Sequence, residues 1–164
     1  MDIDWSKYDN SVKLFNFEGE KKIAKVVDVY DGDTVKLVFP VHNTFYRWNC
    51  RLIKVDTPEL RTRCKLQKQY GYKVRDALRE KILNKVVLIH CDEFDKYGRL
   101  LVSIYEDIPF TPIQNGGGNV EAELSNVKSV NDWLIESNYA FYYDGGTKND
   151  WSEFLKENPD LLHL

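Results

Sequence analysis

Three short segments place acids and arginines where turns meet extended runs. Asp31-Gly32-Asp33-Thr34 is a hairpin signal that sets a carboxylate at the mouth of a strand. The chain continues Val35-Lys36, so it lacks the further oxygen ligands and the late Glu of an EF-hand loop. Arg51-Leu52-Ile53-Lys54-Val55-Asp56-Thr57-Pro58-Glu59 carries a guanidinium inside an extended run and two carboxylates where the run ends. Asp33 and Asp56 together offer a hard, all-oxygen cation site, completed by a backbone carbonyl and water, which suits Ca²⁺ or Mg²⁺ better than zinc. Glu59 follows closely, placed to take a proton from a water near that cation. Asp95-Lys96-Tyr97-Gly98-Arg99 reads as a turn in which Gly98 supplies a positive φ and Arg99 opens the next strand. Two arginines matter because a phosphodiester transition state gathers charge on its non-bridging oxygens, which a planar bidentate donor matches and a lysine does not. Each segment alone is also an ordinary turn or strand end. Together they hold every part that metal-assisted phosphodiester hydrolysis requires.

These groups need a scaffold. Lys22–Tyr30 and Thr34–Phe39 are β-branched and apolar runs on either side of the Asp31-Gly32 turn, with Val35, Leu37 and Phe39 alternating against Thr34 and Lys36. A third strand is expected over Thr44–Val55, where Tyr46, Trp48, Cys50 and Leu52 alternate with Phe45, Arg47, Asn49 and Arg51, and Pro58 forbids further pairing. From Gln69 to Asn84 the period changes to a helical one, through Tyr70, Val74, Ala77, Leu78 and Leu83, with basic residues on the outer face. Strands follow at 85–92 and 99–105, so the pattern predicts a small five-stranded barrel with a helix across it. Ser129 with Asp132 resembles a capping box for a helix reaching Ser137 or Asn138. Asp150 caps a last short helix, with Trp151, Phe154 and Leu155 on one face, that Pro159 stops. Residues 1–21 read as an N-terminal arm. Residues 106–128, with two prolines and the run Gly116 to Gly118, read as a long loop inserted in a single domain spanning 1–164, and such connections are usually mobile or functional.

Composition sets the outer limits. The chain has 164 residues, 43% apolar and 30% charged, with a formal net charge of −3, which fits one soluble domain hiding roughly 70% of its unfolded surface. No apolar run approaches the roughly 20 residues of a membrane helix, so no membrane partner is expected. The first ten residues are acidic and polar where a secretory signal would be basic and then apolar, so an intracellular protein is expected. Cys50, Cys64 and Cys91 are odd in number and widely spaced and read as reduced thiols, while His42, His90 and His163 form no ligand pair. The net acidity is unevenly spread: residues 1–46 carry −2, 47–79 carry +7, 80–105 are neutral, and 106–164 carry −8. The +7 stretch contains Arg51 and the basic helix, and can attract a polyphosphate even on an acidic protein.

The segments DGDTVKL (31–37), RLIKVDTPE (51–59) and DKYGR (95–99), in this order with a helix between the last two, resemble the staphylococcal nuclease family. The likeness runs from Lys22 to Tyr105 and, more weakly, through 129–140. It implies an α+β protein with a five-stranded OB-fold barrel and about three helices. It also implies Ca²⁺-dependent endonuclease cleavage of DNA and/or RNA that leaves 3′-phosphate ends, with Mg²⁺ a possible substitute. By the same resemblance Asp33, Asp56 and the main-chain carbonyl of Thr57 hold the cation, with Asp31 behind them. Glu59 is the general base or orients the attacking water, Arg51 and Arg99 bind the scissile phosphate, and Lys96 with Tyr97 hold the neighbouring 3′-side phosphate.

Three features depart from that family. The overall acidity predicts slower or narrower cleavage, and the long 106–128 connection is expected to cover the cleft or contact a partner. The aromatic residues Tyr139, Phe141, Tyr142 and Tyr143 are out of register, so stacking at that rim is expected without a particular ring being assigned. The competing reading is a catalytically silent module that binds nucleic acid or protein on the same barrel. The complete set Asp33, Arg51, Asp56, Glu59 and Arg99 favours the enzyme, acting as a monomer on DNA or RNA.

Overall fold

The computed structural model describes residues 1–114 and 118–163, so Gly116 and Gly117 of the glycine run lie outside the described residues. β1 (Lys21–Val29) and β2 (Thr34–Val41) form the antiparallel hairpin predicted around Asp31-Gly32, with Val29 opposite Val35. β3 (Thr44–Leu52) runs antiparallel to β2 after a tight turn in which His42 and Asn43 both take positive φ. Sequence alternation carries this strand to Val55, but β3 stops at Leu52. Lys54 turns the chain with a φ of 63°, and the chain resumes as β4 (Val55–Asp56), outside the barrel. After α1 (Lys65–Ile82) come β5 (Val86–Phe94) and β6 (Leu100–Tyr105). The five long strands close in the order β1-β2-β3-β6-β5, β3 and β6 being parallel neighbours. This is the predicted α+β barrel.

The barrel interior is filled by the inward residues of each strand, among them Val26, Leu37, Leu52, Ile89, Val102 and Ile104, all fully buried. α1 covers it with Tyr70, Val74, Leu78 and Ile82. The helix begins four residues before Gln69 although Cys64, at its N-cap, makes no side-chain capping bond. Packing of Leu66 against the core supplies what capping does not. α2 (Val130–Glu136) starts on the expected capping box, Ser129 Oγ accepting from the Asp132 N–H at 3.0 Å and Asp132 accepting from the Ser129 N–H at 2.9 Å. α3 (Trp151–Glu157) is capped by Asp150, which accepts from the Glu153 N–H at 3.1 Å, and ends before Pro159.

The described part of the 106–128 segment is not all loop. It contains a small hairpin of β7 (Thr111–Pro112) and β8 (Val120–Glu121) laid along β1, where Asn119 bridges to Lys22 and Lys21 Nζ donates to the Ala122 carbonyl at 2.7 Å. At the other end of the chain, residues 1–16 are exposed, whereas Phe17 is buried against Phe39, Trp48 and Phe94. All three cysteines are free thiols, and burial pushes those of Cys50 and Cys91 upward. Among the described residues no helix is long and apolar enough to cross a membrane.

One buried amide joins these layers. Asn131 in α2 donates to the carbonyls of Ile53 (3.0 Å) and Val102 (3.1 Å) and accepts from the Ile104 N–H (3.1 Å). It thereby pins the corner between β3 and β4 to β6. Asn131→Leu deprives these buried backbone groups of their partner, and each such loss costs about 1–3 kcal/mol. Chemical denaturation should show stability lower by roughly 2–4 kcal/mol, and a loss under 0.5 kcal/mol would contradict this role.

Candidate active site

The Asp31 turn is held by its own side chain, whose Oδ1 accepts from the N–H groups of Asp33 (3.2 Å) and Thr34 (2.9 Å). Gly32 is required here for space rather than for backbone freedom. A Cβ at this position would lie 2.7 Å from Val74 Cγ1 and 2.8 Å from Thr57 Cβ. The turn is thus seated against α1 and against the residue that follows Asp56. The Asp33 carbonyl accepts from the Leu52 N–H at 2.8 Å, tying it to the end of β3.

Arg51 lies opposite Thr34 in the β2–β3 register and its side chain is mostly buried. Its Nη1 donates to the Leu52 carbonyl at 3.1 Å, while Nη2 donates to the Val55 carbonyl at 3.1 Å and to Asp33 Oδ2 at 3.3 Å. The guanidinium therefore spans the β3–β4 corner and orients Asp33. Asp56, on β4 opposite Phe141, is buried, as is Thr57. Glu59 is 59% exposed on the following loop.

Asp95 organises the third segment. Its carboxylate accepts from the N–H groups of Tyr97 and Arg99, both at 2.9 Å, and from Arg99 Nε at 2.7 Å. Burial alone would raise its pKa, but the hydrogen bonds from Arg99 and Tyr97 outweigh that and hold it below the usual carboxylate range. Gly98 has the expected positive φ, 80°. With Nε engaged, the Arg99 fork is fixed in direction, and its terminal nitrogens enter no hydrogen bond or ion pair among the described residues. The side chains of Lys96 and Arg99 lie over the exposed Tyr97 ring, 5.2 and 5.4 Å from its centroid.

These pieces meet in one cleft of about 320 Å³, lined by Asp31, Asp33, Arg51, Thr57, Glu59 and Arg99 together with Tyr30, Arg61 and Lys148. Asp56 lines the adjoining hollow, which shares Glu59 and Lys148 with the cleft; Lys148 Nζ is 3.4 Å from Asp56 Oδ1 and 3.8 Å from Glu59 Oε1. Lys96 and Tyr97 sit on the adjoining turn and do not line the cleft. Neither do residues 106–128 among those described; they pack on β1 instead. Of the aromatic group after α2, Tyr139 packs against Tyr70 and Trp133, and Phe141 against Trp151 and Phe154. Tyr142 is exposed, and Tyr143 faces Lys148, 5.7 Å from its ring centroid.

The electrostatics are those of crowded acids. Burial and the charge of Asp33 push Asp31 up to about 6. Burial also raises Asp56, with Asp33 adding to it and Lys148 and Arg51 opposing. Asp56 Oδ2 is buried with no hydrogen-bond partner among the described residues, a costly arrangement that a cation between Asp33 and Asp56 would relieve. Among the described residues no three Asp, Glu, His or Cys side chains form a ready-made metal cluster, so such an ion would rely on these two carboxylates, a main-chain oxygen and water. The donor set is hard and all-oxygen, and fits Ca²⁺ or Mg²⁺. Lys148 escaped the sequence reading because it follows a Gly-Gly turn with no motif around it, and only the pairing of β4 with β9 (Phe141–Tyr142) brings that loop to Asp56.

Comparison with known proteins agrees with this geometry. Residues 49–158 match the family described as Staphylococcal nuclease homologue, a span that includes Arg51, Asp56, Glu59 and Arg99 and begins after Asp31 and Asp33. An uncharacterized protein of Methanocaldococcus jannaschii is 31% identical over 159 residues, covering 85% of this chain and 67% of its own length. A protein of Shigella flexneri named micrococcal nuclease is 28% identical over 145 residues, covering 87% of this chain and 69% of its own. With the match spanning the larger part of the chain, this protein belongs to the staphylococcal nuclease homologue family.

Proposed function

We propose that the protein is a Ca²⁺-dependent nuclease that hydrolyses phosphodiester bonds in DNA and/or RNA and leaves 3′-phosphate ends. The observation that carries this reading is the convergence of Arg51, Arg99, Glu59 and Asp33 on one open cleft, with Asp56 in the adjoining hollow near enough for the Asp33 charge to raise its pKa. Asp33, Asp56 and the Thr57 carbonyl would hold the ion, with Asp31 behind them fixing the Asp33 backbone. When bound, the ion supplies charge to the phosphate and acidifies a water. Glu59, exposed at the cleft wall, takes the proton of the attacking water or orients it. Arg51 and Arg99 donate to the non-bridging oxygens, and their fixed hydrogen bonds to backbone and to Asp95 mean little reorganisation as charge develops. Lys96 and Tyr97, next to Arg99, receive the adjacent phosphate. Every residue in this account comes from one chain, so a monomer suffices. One relative bears the name micrococcal nuclease, which supports the same chemistry.

Assayed on single-stranded DNA, duplex DNA and RNA, cleavage should require Ca²⁺ and stop with a chelator. Glu59→Gln and Arg99→Ala should each lower turnover by about 10²–10⁴ without loss of fold. Binding without cleavage under every ion condition would instead favour a silent binding module.

Lys148 holds the carboxylates that the ion would need. Lys148→Met should tighten Ca²⁺ several-fold in calorimetric titration, because a competing positive charge is removed; weaker binding would show that Lys148 builds the site rather than competes for it.

The raised Asp31 carboxyl binds its proton more tightly folded than unfolded. Its contribution to stability is therefore present at low pH and is lost as pH climbs from the usual carboxylate range through about 6. In chelator, the melting temperature should fall across that window, and Asp31→Asn should flatten the fall. An unaltered profile in the variant would remove Asp31 as its source.

A further inference from the structure

Beside the catalytic cleft, sharing Tyr30, Leu60 and Arg61 with it, runs a second open groove of about 620 Å³ between the 60–63 loop and α1. Five of its nine lining side chains are cationic, namely Arg61, Arg63, Lys68, Arg75 and Arg79, and none is acidic. Two of these have structural duties. Arg79 Nε donates to the Val29 carbonyl at 3.0 Å, and Arg75 pairs with Asp76 at 2.9 Å while lying 4.6 Å from the Tyr72 ring centroid. Arg61, Arg63 and Lys68 are exposed and enter no ion pair among the described residues. Charges gathered on a concave wall without counter-charges repel one another, and the arrangement gains only when a polyanion fills it. The rings of Tyr30 and Tyr72 are 45% and 40% exposed, offering faces to unpaired bases.

We propose that this groove binds further phosphates of a single nucleic-acid strand whose scissile linkage lies in the adjoining cleft. The inference rests on the nuclease reading of that cleft. The shared wall makes the two hollows one continuous track, and Arg61 is the common post between them. A duplex would hide its base faces from Tyr30 and Tyr72, so the strand is single. The cluster lies wholly within the 47–79 stretch, whose +7 is far from the acidic carboxy-terminal third in sequence and is concentrated here in space.

The test uses the full chain and the variant R63Q/K68Q/R75Q, which spares Arg61 at the catalytic cleft and Arg79 at Val29. The probe is a fluorescein-labelled oligothymidylate of about 15 nucleotides, with binding followed by anisotropy in chelator at several salt concentrations. The variant should bind at least about tenfold more weakly at low salt, and the slope of log affinity against log salt should fall by about 2, since each lost phosphate contact on a single strand contributes about 0.7. With Ca²⁺ present, KM for the oligonucleotide should rise while hydrolysis of a small chromogenic phosphodiester is unchanged. Unchanged affinity and slope, with native circular dichroism, would overturn the proposal. So would a loss confined to duplex DNA, or to an acidic peptide. The single variant K68E, at an exposed position, repeats the measurement without risk to the fold. If the native chain cleaves nothing but the slope still drops in the variant, the groove stands and the nuclease reading falls.

Discussion

The site depends on where β3 stops being a barrel strand. Sequence alternation continues through Val55, yet the chain leaves the sheet after Leu52 and turns at Lys54, a non-glycine residue in the left-handed region. The turn is tolerated because its backbone groups are satisfied from other elements. Asn131 accepts no compromise on this point: it donates to Ile53 and Val102, and the Ile53 N–H donates to the Val102 carbonyl at 3.0 Å. The Lys54 carbonyl accepts from Tyr143 at 3.0 Å, and the Val55 carbonyl accepts from Arg51. Had β3 continued straight, Asp56 would follow the strand away from Asp33. The break turns it toward Asp33, close enough for the Asp33 charge to oppose the ionisation of Asp56.

That repulsion shapes the rest of the cleft. Two partly buried carboxylates side by side are unfavourable unless positive charge is near. The chain supplies it from two directions, Arg51 from the outer face of β3 and Lys148 from the loop after β9. Arg51 is bound to three oxygens and is rigid. Lys148 is half-exposed, its ammonium at the long end of ion-pair distance from both Asp56 and Glu59, and such contacts are weak. The fixed cation therefore orients the acids, while the loose one can leave at small cost. On the proposed reading, a site that takes up an ion and then a phosphate would use both kinds.

Much of this was legible in the sequence because the signals are local. The Asp31 turn, the positive φ of Gly98, the Ser129–Asp132 capping box and the Asp150 cap each depend on residues within a few positions of one another. The alternating runs of β1, β2 and β6 follow from a core on one face. What escaped was set at long range. The early start of α1 comes from packing rather than capping, and the 106–128 hairpin is held by Lys21 and Lys22 about a hundred residues away. Asn131 reads as one polar residue in a short helix, and Lys148 as one charge in a polar loop. Gly32 is instructive, because a hairpin signal explained it well enough from sequence, yet its φ is not positive and its small size serves contact with Val74 and Thr57.

Charge distribution answers the remaining puzzle, an acidic protein in a family that acts on polyanions. Net charge governs encounter at distances beyond roughly 8–10 Å, where physiological salt already screens it strongly. Within that range the local field matters, and the fold sorts it. The 47–79 stretch supplies one barrel strand, the corner, the loop and α1, so its cations surround the cleft and the neighbouring groove. The acidic third folds into α2, the 106–128 hairpin and α3, and apart from Lys148 it contributes no lining residue to the cleft. A −3 protein can thus present a cationic face to a phosphate. The long-range repulsion that remains slows association more than it weakens the bound state, because rim and distant charges act mainly on the rate of encounter.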